Sequence, residues 1–251
     1  GSAFGLDAAA GVMAFLEEKQ IGFDVQVTHV PIVCGAALFD LTVGDHRVRP
    51  DKAMGFQACV NARQQESARG NVGAGTGASV GKISGKGRAM KGGLGSFAFQ
   101  SGELKLGALV AVNCLGDVID PETGKKRAGL LNKDRTGIAD TETEMVNALS
   151  AGSNLFTGNT SLGVIVTNAD LTKAQTAKLA SMAQNGFART LRPAHSMFDG
   201  DTIFAMSCGK VSADLSVVGL IAARAMERAV VTAVENATTL FDLPACRDLP
   251  G

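Results

Sequence analysis

The sequence predicts a layered α/β or α+β sandwich, because helical periodicity stands at both ends and in the middle of the chain while short apolar or alternating strands fill the intervals. Leu6 to Lys19 places Leu6, Ala9, Ala10, Met13 and Leu16 on one face, with Gly22 as the stop, which is a first helix. Val25 to Leu41 is β-branched and apolar but contains Pro31, so it reads as two short strands or a strand and a turn. Pro50-Asp51 opens a second helix through about Arg63. From Leu94 to Val118 two strands meet near Ser101-Gly102, and Asn113 stands at the end of the second. Asp120 to Ser153, rich in Gly, Lys, Asp, Thr and Asn, reads as a long exposed connection with a helical turn around Glu142 to Leu149. Leu162 to Val166 is a buried strand. Thr172 and Gln175 form a capping box for a helix with Ala174, Ala177, Leu179 and Met182 inward. A strand Thr202 to Met206 and a long helix, roughly Ser212 to Asn236, close the chain.

Length and charge narrow the function classes. The 251 residues, 25.7 kDa, suit one large globular domain or two small ones. With 24 basic and 24 acidic side chains and no basic block, a dedicated nucleic-acid or anionic-membrane surface is disfavoured, since both require concentrated positive charge. No apolar run approaches the roughly 20 residues of a bilayer span, so no membrane partner is expected. Trp and Tyr are absent, which excludes any mechanism needing a tyrosine hydroxyl. The five cysteines Cys34, Cys59, Cys114, Cys208 and Cys246 form no C-x-x-C pair and read as reduced, mostly buried small hydrophobes. His29, His46 and His195 lack ligand spacing, so neither a metal nor a cofactor is expected. The cytoplasm is the expected compartment. The chain begins Gly1-Ser2-Ala3-Phe4 without an initiator Met, so a trimmed chain that has lost a targeting signal is also compatible.

Four features bear on chemistry. The glycine-dense run Gly70 to Lys82 invites a phosphate-loop reading, but the residue five before Gly81 is Thr76 and Ile83 follows Lys82, so the P-loop pattern fails. Gly73, Gly75 and Gly77 recur every second residue, so a dinucleotide fingerprint fails too. The others are the polar-to-strand junction Asn159-Thr160, the carboxylates Asp199 and Asp201, and Asn113. Each has a bland alternative: a strand start, a turn or half a calcium site, and a strand cap.

The strings GSAFGLDAA at Gly1 to Ala9, VPIV at Val30 to Val33, GNVGAGTGASVGK at Gly70 to Lys82, GALVAVNCLGDVIDPETG at Gly107 to Gly124, NTSLGVIVTNA at Asn159 to Ala169 and HSMFDGDTIFA at His195 to Ala205 change those odds. In this order they resemble the L-aminopeptidase/D-Ala-esterase and β-aminopeptidase family, which includes the nylon-oligomer (aminohexanoate) hydrolases. The resemblance implies a single hydrolase domain over residues 1–251 with a four-layer αββα sandwich similar to the N-terminal-nucleophile hydrolases. It implies a precursor that cuts itself into an α-chain 1–159 and a β-chain 160–251, and a homo-oligomer, dimer or tetramer.

Residue by residue, the Asn159-Thr160 bond resembles the autocleavage site and Thr160 the nucleophile. The residue type suits that role, because a freed α-amine with a pKa near 8 can take the proton from the hydroxyl of the same residue. Asn113 resembles the oxyanion-hole donor, a group whose removal costs about 3 kcal/mol of barrier. Lys82 matches the lysine near the nucleophile in the nylon-hydrolase branch, and Asp199 and Asp201 match that branch's flanking aspartates. Phe39 stands where other members carry a tyrosine, and with His195 it is expected to line the substrate site. Family members also carry further sequence before the GSAFGLD block, so an N-terminal segment with strands of the sandwich is expected to be lacking here.

Other residues have plainer readings. Ser161 neighbours the nucleophile position, but a displaced cut would move the amine. Cys114 reads as packing, and Lys125-Lys126-Arg127 as a solvated loop. Three functions compete. The first is a self-processing amide hydrolase acting on short peptides, amino-acid amides or aminohexanoate oligomers. The second is a non-catalytic or processing-deficient relative serving binding or assembly. The third is a nucleotide-binding protein using the glycine run.

Overall fold

The computed structural model describes residues 3–63, 67–150 and 158–249. They divide into two compact units, residues 1–38 with 45–66 and residues 39–44 with 67–251.

The first unit holds helix α1 (Ala3–Glu18), the two-residue strands β1 (Phe23–Asp24) and β2 (His29–Val30), and helix α2 (Lys52–Asn61). Asp51 starts α2 by accepting the Met54 N–H at 2.8 Å, which satisfies one of the donors that a first turn leaves unpaired. The helices meet through an edge-to-face contact of Phe15 and Phe56 at 5.7 Å. Of the apolar stretch from Val25 to Leu41, only His29–Val30 becomes strand.

The second unit contains β3 (Ser79–Val80), β4 (Met90–Lys91), β5 (Gly93–Ser101), β6 (Leu104–Val112), β7 (Asp117–Ile119), β8 (Lys126–Ala128), α3 (Thr141–Ser150), β9 (Leu162–Ala169), α4 (Lys173–Thr190), β10 (Leu191–Arg192), β11 (Thr202–Val211) and α5 (Leu215–Glu235). Its main sheet has the order β11-β9-β6-β5, with β9 and β11 parallel and the other neighbours antiparallel. The predicted hairpin closes at Gly102, whose φ of +56° suits glycine in the tight turn. One face of the sheet, with Leu106, Ala108, Val110, Ile165 and Ile203, is buried in the core with α4 and α5 residues. The other face carries Leu109, Val166 and Met206, each at least a third exposed.

Asp214 caps α5 by accepting the Ser216 and Val217 N–H groups. Small residues then let the helix lie close on β5: a Cβ at Gly95 would fall 2.0 Å from the Ala229 oxygen. Thr172 and Gln175 form the predicted capping box of α4, but its buried side is Leu179, Ala183, Gly186 and Phe187, while Ala174 and Ala177 are exposed. Both exposed alanines lie in the N-terminal part of the helix, where periodicity alone misplaces the inner face.

The connection read as exposed is largely structured. Asp117, with its side chain 2% exposed, accepts from the Leu130 N–H, the Thr141 N–H and hydroxyl, and the Lys126 ammonium. That carboxylate draws β8 and the start of α3 inward and buries Leu130 and Leu131 completely. A polar composition conceals such a segment because its polar groups are paired rather than solvated. The Lys125-Lys126-Arg127 run is corrected with it: Lys126 pairs with Asp117 and Asp140, and Arg127 with Asp120. Residues 151–153, the end of the predicted connection, lie outside the described residues. All five cysteines are free, and only Cys114 is buried, which corrects the expectation for Cys34 and Cys208, both exposed. Among the described residues no helix is long and apolar enough to cross a membrane.

Candidate active site

The sheet register brings the candidate residues to one edge. Because β6 runs antiparallel to β9, and β9 parallel to β11, Ala111 pairs with Leu162 and Leu162 with Thr202. Asn113, just past β6, therefore lies beside Thr160, just before β9, and the Asp199-Gly200-Asp201 turn before β11 lies on the other side. The pairing continues past the strand ends. The Thr160 N–H donates to the Asn113 oxygen at 3.1 Å, and the Thr202 N–H to the Ser161 oxygen at 3.0 Å. The Asn159 N–H donates to the Phe198 oxygen at 3.2 Å, and the Gly200 N–H to the Asn159 oxygen at 2.9 Å.

The Thr160 hydroxyl donates to the oxygen of the peptide that joins it to Asn159. It stands against its own preceding carbonyl, where attack on the carbonyl carbon would close a five-membered ring. Thr160 is half-buried, whereas Asn159 and Ser161 are buried.

Asn113, fully buried, is held from three sides. Its Oδ1 accepts the Ser79 N–H at 3.0 Å and the Lys82 ammonium at 2.9 Å, and its Nδ2 donates to the Phe39 oxygen at 3.1 Å. Lys82 also reaches the Asn113 backbone oxygen at 3.1 Å. Burial lowers the Lys82 ammonium to about 8, opposed by the negative charges of Asp199, Asp40 and Asp201. The glycine run serves this placement: Gly81, at φ +67°, turns the chain where a Cβ would fall 2.0 Å from the Gly129 carbonyl carbon.

The two aspartates bind the backbone around Thr160. Asp199 accepts the Leu115 N–H at 3.1 Å and the Ser196 hydroxyl. Asp201, its side chain 1% exposed, accepts the Ser161 N–H at 2.9 Å. Burial, aided by the neighbouring Asp199 charge, raises the Asp201 carboxyl above its ordinary range against these hydrogen bonds. His195 sits at the rim with Nδ1 3.6 Å from Asp201 Oδ2. The Phe39 ring lies over Gly158, where a Cβ would fall 2.7 Å from ring carbons. Cys114 is packed with its thiol donating to the Gly116 oxygen, and burial holds that thiol well above its ordinary pKa.

Three residues of this region escaped sequence reasoning. Lys91 is fully buried, with its ammonium on the oxygens of Gly75, Ala78 and Gly92. Asp40, next to Phe39, has its carboxyl raised by burial, with Lys82 and Lys91 opposing. Gly200 passed as the middle of a turn. No local pattern marks the first two, since Lys91 reaches back to Gly75 and Ala78 and Asp40 faces Lys82 and Lys91; the third carried a signal in its place between two carboxylates.

A model of peptidase family S58 matches residues 1–243. An uncharacterized aminopeptidase of Mycobacterium leprae is 38% identical over 276 aligned positions, covering 100% of this chain and 74% of the relative. A 6-aminohexanoate-oligomer endohydrolase of a Kocuria species is 29% identical, over 94% of this chain and 70% of the relative. The L-aminopeptidase D-Ala-esterase/amidase of Ochrobactrum anthropi, a variant of the Ntn-hydrolase fold, superposes with a TM-score of 0.53 at 22% identity, over 78% of this chain and 54% of that one. The fold class is the one the sequence predicts.

Proposed function

The chain belongs to peptidase family S58, and from that premise we propose that it is a self-processing amide-bond hydrolase in which cleavage of the Asn159-Thr160 bond frees Thr160 as an N-terminal nucleophile. The observation that carries this reading is the Thr160 hydroxyl seated on the Asn159 carbonyl oxygen. A hydroxyl so placed can perform an N-to-O acyl shift, and hydrolysis of the resulting ester leaves a free amine next to the hydroxyl. That amine then serves as the base for external substrates, so nucleophile and base share one residue.

The neighbours supply the remaining roles. Asn113 offers its carboxamide N–H to the oxyanion of a bound substrate once the Phe39 oxygen yields, and the Lys82 cation polarises that carboxamide. Asp201 fixes the Ser161 backbone just after Thr160, Asp199 fixes the Leu115 backbone just past Asn113, and together they set a negative field that favours a protonated amine. Phe39 and His195 line the approach. Substrates are short peptides, amino-acid amides or aminohexanoate oligomers, as the names of the relatives suggest, and the active form is a homo-oligomer.

The test is the intact mass of the purified chain after incubation at neutral pH. Fragments 1–159 and 160–251 are expected, together with hydrolysis of small amides, and Thr160→Ala should abolish both. A wild-type chain that stays at 25.7 kDa, or an uncut Thr160→Ala chain that still turns over substrate, overturns the reading.

A further inference from the structure

The geometry points to the backbone N–H of Gly200 as the oxyanion donor of self-cleavage, a catalytic group distinct from Asn113. The inference rests on the self-processing reading and adds the group that stabilises its transition state. Among the described residues, two donors meet the Asn159 oxygen: the Thr160 hydroxyl, which is the attacking group, and the Gly200 N–H at 2.9 Å. The Asn113 carboxamide is directed elsewhere, with Nδ2 on the Phe39 oxygen at 3.1 Å.

The step balances as follows. The Thr160 oxygen bonds to the Asn159 carbonyl carbon, and the carbonyl π pair moves onto its oxygen, where the Gly200 N–H meets the full negative charge. As that pair returns, the bond from carbon to the Thr160 nitrogen breaks, and the hydroxyl proton ends on that nitrogen, leaving an ester and a free amine. Water then adds to the ester carbon, releasing the Asn159 carboxylate and restoring the Thr160 hydroxyl. A donor already in place needs no reorganisation when the charge forms, and a hydrogen bond to an oxyanion is stronger than one to a neutral carbonyl.

Two further observations fit this assignment. The Gly200 peptide is held in position because the flanking Asp199 and Asp201 side chains bind the Leu115 and Ser161 N–H groups, at 3.1 and 2.9 Å. The absence of a side chain at this position is also required: a Cβ at Gly200 would fall 2.8 Å from the Thr160 hydroxyl oxygen and 3.7 Å from the Asn159 oxygen. Any larger residue would push the nucleophile off the carbonyl it is to attack.

The test replaces Gly200 by glycolic acid through nonsense suppression, which exchanges the N–H for an ester oxygen and adds no atoms over Thr160. Fragment appearance should slow by about 100-fold relative to wild type, with the melting temperature retained. Gly200→Pro, which also removes the N–H, is the second variant and should remain uncut. Cutting by either at the wild-type rate overturns the inference. Failure of the wild-type chain itself to cut overturns the self-processing reading, a result the Gly200 variants cannot mimic.

Discussion

The Lys82 ammonium lies 2.9 Å from Asn113 Oδ1 and 3.1 Å from the Asn113 backbone oxygen, so a half-buried cation sits on the acceptor end of the carboxamide whose Nδ2 end is the proposed oxyanion donor. Positive charge at Oδ1 withdraws electrons from the amide and makes Nδ2 a stronger donor to an oxyanion. Burial has lowered that ammonium to about 8, so its charge disappears just above neutrality. In the proposed mechanism the freed Thr160 amine must be deprotonated to act as base, which favours higher pH. The two requirements oppose each other, so kcat/KM of the processed enzyme should trace a narrow bell with a falling limb above about pH 8. Lys82→Met should lower the maximum and erase that falling limb. A wild-type profile that stays level up to pH 10 would show that the cation has no part in turnover.

Asp201 should trade stability for activity. Its folded carboxyl titrates above the ordinary range, so between the unfolded and folded values the folded state binds more protons. Stability therefore falls as pH rises through that window, and at neutral pH the buried carboxylate costs free energy. Asp201→Asn removes the charge while its amide oxygen can still accept the Ser161 N–H. The variant should melt higher than wild type at pH 7, by a margin that shrinks as pH approaches 4, and should process and turn over more slowly. Equal melting temperatures at pH 7 would mean that the hydrogen bonds already offset the burial of the charge.

What could be read in the sequence was local. Thr172 and Gln175 are three residues apart and mark a helix start by themselves, and the strands on either side of Gly102 pair as neighbours. The long closing helix was legible too, read over roughly Ser212 to Asn236 and found over Leu215–Glu235. What escaped depends on partners far along the chain: Asp117 orders a segment 9 to 24 residues away, and the Lys91 carbonyl partners Gly75 and Ala78 are 16 and 13 residues back. The site lay between these cases. Asn113, Thr160 and Asp201 each have an ordinary reading alone, and only six ordered blocks together single them out. Gly200 was legible only as a glycine between two carboxylates, because the backbone N–H that the proposal assigns to self-cleavage has no residue-type signature.

Lys91 provides the last prediction, which concerns stability. Its ammonium, fully buried on the oxygens of Gly75, Ala78 and Gly92, ties the glycine run to β4 and so supports Ser79 and Lys82. Burial lowers it to about 8, with the Asp40 charge opposing. An unfolded lysine keeps its proton to about 10.4, so between these values the unfolded chain binds more protons. Lys91 thus makes the protein more stable as pH rises from 8 toward 10, with a slope of at most about 1.4 kcal/mol per pH unit. Lys91→Met removes the ammonium's three hydrogen bonds, leaving the Ala78 oxygen with the Gly92 N–H, and should be destabilising throughout. It also removes the titration, so its deficit relative to wild type should be larger at pH 9.5 than at pH 7.5 in denaturant melts. Comparing the two chains cancels the opposing titration of thiols such as Cys114, which the variant shares. A deficit that does not change with pH would show that the buried ammonium holds its proton through this range.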